Sequence, residues 1–201
     1  ILINDQGKVI YTTRKDLDDD THINKKIPDS RLYNAYTWGL SAPRNTSLYL
    51  DFKQDPYYEN TFTSIIASPI FLDNKIKGII LIKISFNEID RITSDSYTWN
   101  SFGIGSTGET LVYGEDWALR NRGRVDQNSK PINSKNTYKA TGDLNLEYFK
   151  TESVLNDRGF DYKGNDVLRS TGKLYLPSGS LWYVSTKLNS FEAFSVLRKI
   201  A

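Results

Sequence analysis

The amino-acid sequence predicts an α+β protein built from two similar modules, each an antiparallel sheet flanked by helices. Two observations predict this architecture: a strand–turn–strand pattern that occurs twice, and a strand running directly into a capped helix, which also occurs twice. The distance between the two copies is nearly the same for both patterns, so the repeat covers a whole module. The 201 residues suffice for two modules of about 90 to 100 residues each.

The strand–turn–strand pattern occupies residues 2–11 and returns at residues 111–120. Both copies carry apolar and β-branched residues on either side of a short polar centre. The turn chemistry is supplied by Asp5 and Gly7 in the first copy and by Gly114 and Asp116 in the second.

The strand-to-helix junction occurs at residues 79–88 and again at residues 183–192. Serine and asparagine commonly cap helices, and both junctions have one at the end of the strand. Ser85 is followed three residues later by Glu88, and Asn189 by Glu192. This spacing predicts a capping box at the start of each helix, in which the glutamate reaches back to the backbone of the capping residue.

The elements between these ends follow from local patterns. In the first module we predict a helix at 30–39 and strands at 47–52 and 62–71. The second module has a polar insertion at 126–153 and predicted strands at 159–162 and 166–173. The last helix would place Phe194, Leu197 and Ile200 on one face.

Composition excludes several classes of function. Lys and Arg total 26 against 24 Asp and Glu, giving a net charge of +2 without a basic block that would track nucleic acid. The chain contains no apolar run near the ~20 residues of a membrane span. There is no Cys or Met and a single His, which excludes disulfides and thiolate chemistry. Without any Met, the chain is expected to be a fragment of a longer protein.

Two motifs resemble ligand sites but lack the required context. Residues 103–108 spell G-x-G-x-x-G but precede a predicted strand, whereas dinucleotide binding needs a helix there, so a glycine-rich turn is favoured. Asp16, Asp18 and Asp20 match the start of an EF-hand loop, but the turn glycine and closing glutamate are replaced by Thr21 and Ile27. We therefore predict no metal, no cofactor and no enzymatic activity for this fragment.

The sequence resembles the double Cache sensor domains, which are tandem PAS-like modules outside the cytoplasmic membrane in bacterial histidine kinases, chemoreceptors and cyclases. The resemblance rests mainly on residues 3–11, 51–70, 105–120 with Arg124, 161–168, 182–184 and 192–194. It does not extend to the Arg-Trp-Tyr arrangement of members that bind amino acids, so an amino acid is not the predicted ligand.

The resemblance implies a membrane-distal module at 1–92, a membrane-proximal module at 93–189 and an exit helix at 190–201 that leads toward the membrane. It implies the extracytoplasmic (periplasmic) sensor of an inner-membrane receptor, with flanking helices in the membrane, a homodimer as the full-length state and a histidine kinase as the output enzyme. A chemoreceptor or nucleotide cyclase sensor and a protein-recognition module are the alternatives.

By the same resemblance, a small molecule would bind in the distal module, where aromatic side chains line the pocket and polar groups orient the ligand. Asp51 would hold an amine, or Lys83 a carboxylate. Packing, turn capping or a solvent-facing position are the alternative interpretations. The predicted ligand-binding residues are Tyr49, Asp51, Tyr57, Tyr58, Ser68 and Lys83.

In the second module, we consider a second site, for an anion. Arginine has a planar guanidinium that suits carboxylate or phosphate. Surface charge or a structural ion pair is the alternative interpretation. The predicted residues are Arg120, Arg124, Tyr162 and Arg169.

Overall fold

A computed structural model of the chain describes residues 1–13, 21–23, 27–28, 30–55, 61–94, 105–124 and 142–195. Within these ranges the chain forms two antiparallel sheets and a few helices, which confirms the predicted α+β class. It divides into two compact units. The first consists of Ile1–Ser85 with Pro177–Ser180, and the second of Phe86–Leu176 with Leu181–Ala201.

Within the described residues, the first unit is a five-stranded sheet with a helix packed on one face. Its strands have the order β2-β1-β5-β4-β3. The elements are β1 (Leu2–Asn4), β2 (Val9–Tyr11), α1 (Arg31–Gly39), β3 (Leu48–Asp55), β4 (Thr61–Leu72) and β5 (Lys75–Ser85).

Local chemistry explains why α1 and the longest hairpin form. The Ser30 side chain accepts a hydrogen bond from the Tyr33 N–H at 3.0 Å and so caps α1. Between β4 and β5, Asp73 and Asn74 both adopt positive φ angles of 49° and 62°, as a two-residue hairpin turn requires. At Gly39, a side-chain Cβ would lie 2.5 Å from Ile79, so glycine allows α1 to pack closely on the sheet.

The second unit is a four-stranded sheet with the order β6-β9-β8-β7. Its core combines leucines with aromatic rings, and Trp117 stacks on Tyr183 with ring centroids 4.0 Å apart. The elements are α2 (Phe86–Thr93), β6 (Glu109–Tyr113), a 3₁₀ helix (Leu146–Lys150), β7 (Val154–Phe160), β8 (Asp166–Tyr175), β9 (Leu181–Asn189) and α3 (Ser190–Ala193).

The two sheets share one strand order, which confirms the internal repeat. The series β1-β5-β4-β3 in the first unit corresponds to β6-β9-β8-β7 in the second. As predicted, β5 runs directly into α2 and β9 runs directly into α3. The predicted boundary after residue 92 differs from this division, because α2 groups with the second unit.

Residues 111–120 do not form a full hairpin. After β6, the returning chain forms a single bridge from Leu119 to Tyr113. The Asn121 side chain explains the difference, because it accepts from the Val112 N–H and donates to the Thr110 carbonyl, each at 2.8 Å. A side-chain amide thus occupies backbone groups that a second strand would need.

The predicted strand at 159–162 is also displaced, because β7 ends at Phe160. The Asp161 carboxylate accepts from the backbone N–H groups of Lys163 and Asn165, which turns the chain there.

Candidate functional site

The inner face of the first sheet, meaning the face covered by α1, changes from apolar to polar along β4 and β5. Ile65 and Leu81 are fully buried on this face. Lys83 lies directly opposite Ile65, and Thr63 lies on the same face because side chains alternate along a strand. We call Thr63 and Lys83 the polar end of this face.

The Thr63 hydroxyl is the unusual group at the polar end. The residue is 4% exposed, and its hydroxyl has no hydrogen-bond partner among the described residues. Leaving a buried hydroxyl unpaired costs about 1 to 3 kcal/mol. Such groups in native structures require a specific explanation, which includes the binding of a water or a ligand.

Arg31, the first residue of α1, connects the helix to the strands beside the polar end. Its guanidinium donates to the backbone carbonyls of Thr63 at 2.5 Å and Lys53 at 3.2 Å, and to that of Asp51. The register of β3 shifts between Leu50 and Lys53, so Arg31 binds carbonyls at this irregularity. The contacts fix the start of α1 against β3 and β4.

The inner face of the second sheet, on the side of its aromatic core, carries a buried cation between two acids. The Lys187 ammonium contacts Glu109 and Asp161 at 2.7 Å each, and it lies 4.4 Å from the centre of the Tyr162 ring. Burial would raise the pKa of Asp161, but hydrogen bonds from Lys187 and nearby backbone N–H groups keep it below its ordinary value. The positive charge of Lys187 is therefore balanced by two carboxylates of the protein itself.

A second cation on this sheet is bound in the same manner. Arg169 donates to Asp157 and Asp143 at 2.7 Å each. Burial would lower the pKa of Arg169, and the two carboxylates more than compensate, so the pKa is raised. Its guanidinium already has the bidentate carboxylate partner that an anionic ligand would supply.

The opposite face of the second sheet forms an apolar groove of about 530 Å³ beneath α2. The three threonine hydroxyls in its wall already have partners, since Thr110 and Thr186 pair at 3.1 Å and Thr93 accepts from Asn121. The groove therefore presents an apolar surface. It is lined by Ile89, Ile92, Thr93, Thr110, Val112, Leu174, Trp182, Val184 and Thr186.

Comparison with known proteins gives similarity in structure rather than in sequence. No protein-family model and no curated protein matches the chain. The ligand-binding domain of the Pseudomonas fluorescens chemoreceptor CtaA, in complex with L-serine, aligns over 94% of this chain and 70% of its own, with a TM-score of 0.56 and 11% identity.

Two further solved structures give the same result. The ligand-binding domain of the Pseudomonas aeruginosa amino acid chemoreceptor PctB, in complex with L-Arg, aligns over 99% of this chain and 68% of its own, with a TM-score of 0.51 and 17% identity. The periplasmic sensory domain of the Campylobacter jejuni chemoreceptor Tlp1 aligns over 79% and 55%, with a TM-score of 0.51 and 16% identity.

The chain has the double Cache fold. This confirms the resemblance at the level of architecture. At these identities the similarity establishes the fold alone, and any ligand of this chain has to be argued from its own residues.

Three of the predicted ligand-binding residues lie on two different faces of the first sheet of the double Cache fold. Lys83 is on the inner face, whereas Tyr49 pairs with Ile66 and lies, like Ser68, on the opposite face. The Tyr49 hydroxyl donates to Asp51 at 3.1 Å. Ser68 donates to the Thr46 carbonyl.

The structure therefore does not bring Tyr49 and Ser68 together with Lys83 on one face, and Asp51 lies at the irregularity of β3. Tyr57 and Tyr58 lie outside the described residues.

In the predicted anion site of the second module, each arginine already contacts acceptor groups of the protein. Arg120 pairs with Asp116 at 2.8 Å, and Arg124 donates to the carbonyls of Gly105 and Gly108. Arg169 is bound as described above. Structural contacts account for these arginines, and anion binding here stays a prediction.

Sequence reasoning missed Arg31 and Thr63. A signal for Arg31 exists, because a cation at the first position of a helix opposes the helix dipole and so suggests another partner. Thr63 could have been placed beside Lys83 by strand alternation, but only once the register between β4 and β5 was known.

Two further properties bear on the site. Among the described residues, no helix is long and apolar enough to cross a membrane. The same residues contain no cluster of His, Cys, Asp or Glu that could hold a metal ion.

Proposed function

We propose that this chain is the extracytoplasmic ligand-sensing domain of a membrane signal-transduction receptor. A small molecule binds in the first unit, at the polar end of the inner face, and the signal leaves through α3. The double Cache fold supports this proposal, as solved domains of that fold include one described as periplasmic and others in complex with amino acids.

The buried Thr63 hydroxyl carries the proposal. It stands at the end of an apolar face without a hydrogen-bond partner in the described residues, so a ligand group that pairs with it removes an energetic cost. The second unit differs, because its buried Lys187 is already enclosed by Glu109 and Asp161. We therefore assign ligand binding to the first unit.

The ligand is a small polar molecule with a hydrogen-bonding group for Thr63. A carboxylate would also interact favourably with the nearby Lys83, which agrees with the role predicted for that lysine. The ligand shifts the population of receptor states by the difference between its affinities for them. A homodimeric receptor with flanking membrane helices is the assembly we propose for the full-length protein.

The output of the receptor stays a prediction. The sequence resemblance favours a histidine kinase, and the receptors that contain the similar solved domains are chemoreceptors, which supports that alternative.

The test is a thermal-shift screen followed by isothermal titration calorimetry with amino acids, small organic acids and amines. We expect at least one compound to raise the melting temperature. Thr63→Val, which replaces the hydroxyl by a methyl group of similar size, should weaken its binding by about tenfold, as the loss of one buried hydrogen bond implies.

Thr171→Val is the matched control. Thr171 is a buried strand threonine of the second unit that donates to Ser185 at 2.8 Å, so its loss should leave the Kd unchanged. A screen without any shift would overturn the small-molecule proposal and favour the protein-recognition alternative. Equal affinity of Thr63→Val and the wild type for the compound would show that it does not bind at the polar end.

A further inference from the structure

The G-x-G-x-x-G segment contains a turn at residues 105–107 that binds a carboxylate of the same chain. Both Ser106 and Thr107 donate to Glu192 through their backbone N–H groups, at 2.6 and 2.8 Å, and through their hydroxyls. Glu192 lies in α3, so the turn before β6 is connected to the helix after β9. All these groups belong to the second unit.

Gly105 makes this approach possible. Its φ angle is +71°, and a Cβ at this position would lie 2.5 Å from a Glu192 carboxylate oxygen. The glycine is therefore required both for the backbone conformation and for the space that the carboxylate occupies.

Thr107 and Asn189 extend the contact to the residue that caps the helix. The Thr107 hydroxyl accepts from the Asn189 N–H at 3.1 Å, while the Asn189 side chain caps α3 by accepting from Phe191. This arrangement differs from the predicted capping box, in which Glu192 would have bound the Asn189 N–H. The side-chain cap is confirmed at Asn189, but the second half of the box is wrong.

The equivalent glutamate of the first repeat provides a comparison. Glu88 pairs with Arg91 at 3.1 Å, and both side chains are more than half exposed. Among the described residues, Glu88 makes no hydrogen bond with the Ser85 N–H, so the second half of the predicted capping box is wrong there as well. Because Glu88 forms an ordinary surface pair, the binding of Glu192 by the turn is not a general consequence of the strand-to-helix junction.

Helix α3 depends on such contacts for its position. Within the described residues it comprises Ser190–Ala193, and both its N-cap residue Asn189 and Glu192 are bound by the 105–107 turn. Hydrogen bonds to a carboxylate are among the stronger ones in proteins. The hydrogen bonds from Thr107 and Ser106 lower the pKa of Glu192 to about 2, so the carboxylate is charged at neutral pH.

We infer that Glu192 and the 105–107 turn form a conformational latch, which holds α3 on the second sheet when closed and frees α3 without unpairing β6 from β9 when open. In the receptor proposed above, α3 is the element through which the signal leaves, so this device would regulate output. That regulatory role rests on the proposed function. The latch itself can be tested without any ligand.

The experiment is residue-resolved amide hydrogen exchange on Glu192→Gln. The glutamine NH₂ group cannot accept from Ser106 or Thr107, so part of the latch is lost. We expect exchange at the amides of Ser106, Thr107 and Phe194 to accelerate by roughly tenfold through local opening, with changes in β6 and β9 below about twofold.

Glu88→Gln is the matched control, and it should leave exchange at all these amides unchanged. Two results would overturn the latch: unchanged exchange at Ser106 and Thr107 in Glu192→Gln, or an equal acceleration throughout the second sheet. The latter would show that Glu192 contributes to global stability alone.

A second variant retains the carboxylate. Ser106→Ala combined with Thr107→Val removes both hydroxyl donors and also the acceptor of the Asn189 N–H, and it leaves the two backbone donors, so the same amides should exchange faster. If Glu192→Gln does not fold, this variant decides the question, and unchanged exchange in it overturns the latch. A failed ligand screen would not affect either result.

Discussion

Thr63 and Thr171 are buried strand threonines that differ in one property. The Thr63 hydroxyl has no partner among the described residues, while the Thr171 hydroxyl donates to Ser185 at 2.8 Å. An unpaired buried hydroxyl opposes folding, whereas a paired one contributes to stability. Comparing the two residues therefore tests whether the unpaired Thr63 hydroxyl of the candidate site lowers the stability of the fold.

We expect Thr63→Val to leave the free energy of unfolding unchanged or to raise it by about 1 kcal/mol, because no hydrogen bond is lost. Thr171→Val should lower it by about 1 to 2 kcal/mol, because the Ser185 hydroxyl loses its partner. Urea denaturation of both variants without ligand measures these changes. A clear loss of stability in Thr63→Val would mean that the hydroxyl has a structural role.

At the residue scale the sequence predicted chemical types better than contacts. Lys83 was placed in the candidate site and lies on the inner face. The sequence predicts Tyr49 and Ser68 for the same pocket, but strand alternation places them on the other face. The one-residue difference in register that decides this could not be read from composition or spacing.

At the element scale, a buried charge cluster connects β6, β9 and the turn between β7 and β8. Lys187 on β9 lies opposite Glu109 on β6, and Asp161 precedes β8. All three side chains are less than a tenth exposed. Removing the cation would leave two carboxylates buried beside each other without compensation.

Lys187→Met should therefore lower the free energy of unfolding by about 3 to 5 kcal/mol, the usual cost of breaking a buried ion pair. Lys150→Met is the control, because Lys150 pairs with Glu147 on the surface and should cost less than about 1 kcal/mol. Chemical denaturation at neutral pH measures both. Similar losses in the two variants would contradict a structural role for the buried cluster.

The strands and their junctions with helices were largely predictable, because turn residues, caps and apolar periodicity are local. The direct passage from β5 into α2 and from β9 into α3 is an example. Shortening of the second hairpin to one bridge was not predictable, since it depends on Asn121 occupying the edge of β6. Such a side chain acts across space, and the sequence shows only that a polar residue is present.

At the scale of the whole molecule, the second unit contains a group of acids whose pKa values are lowered by specific partners. Hydrogen bonds from Arg158 lower the pKa of Asp166. Burial opposes the shifts at Asp143 and Asp161, but backbone N–H groups, Arg169 and Lys187 outweigh it. With Glu192 there are four such carboxylates, and each favours the folded state when it is ionised.

The sign of the pH dependence follows from these shifts. A carboxyl whose pKa is lowered by folding contributes stability above its pKa in the unfolded chain, and this contribution is lost as the pH falls through its folded pKa. Asp90 acts in the opposite direction, because burial raises its pKa despite its contacts with Arg122. With four carboxyls against this one, the second unit should lose stability between about pH 4.5 and pH 2.

We therefore expect acid to unfold the second unit before the first. Amide NMR signals of Leu111 and Ser185 should disappear at a higher pH than those of Ile65 and Leu81, which lie in the first unit. A urea titration at pH 7 is the control. If the second unit also unfolds first in urea, and by the same margin, its lower intrinsic stability explains the order of unfolding and its carboxylates do not. Simultaneous loss of both sets of signals in acid would show that the two units unfold as one, and that the carboxylates of the second unit stabilise the molecule as a whole.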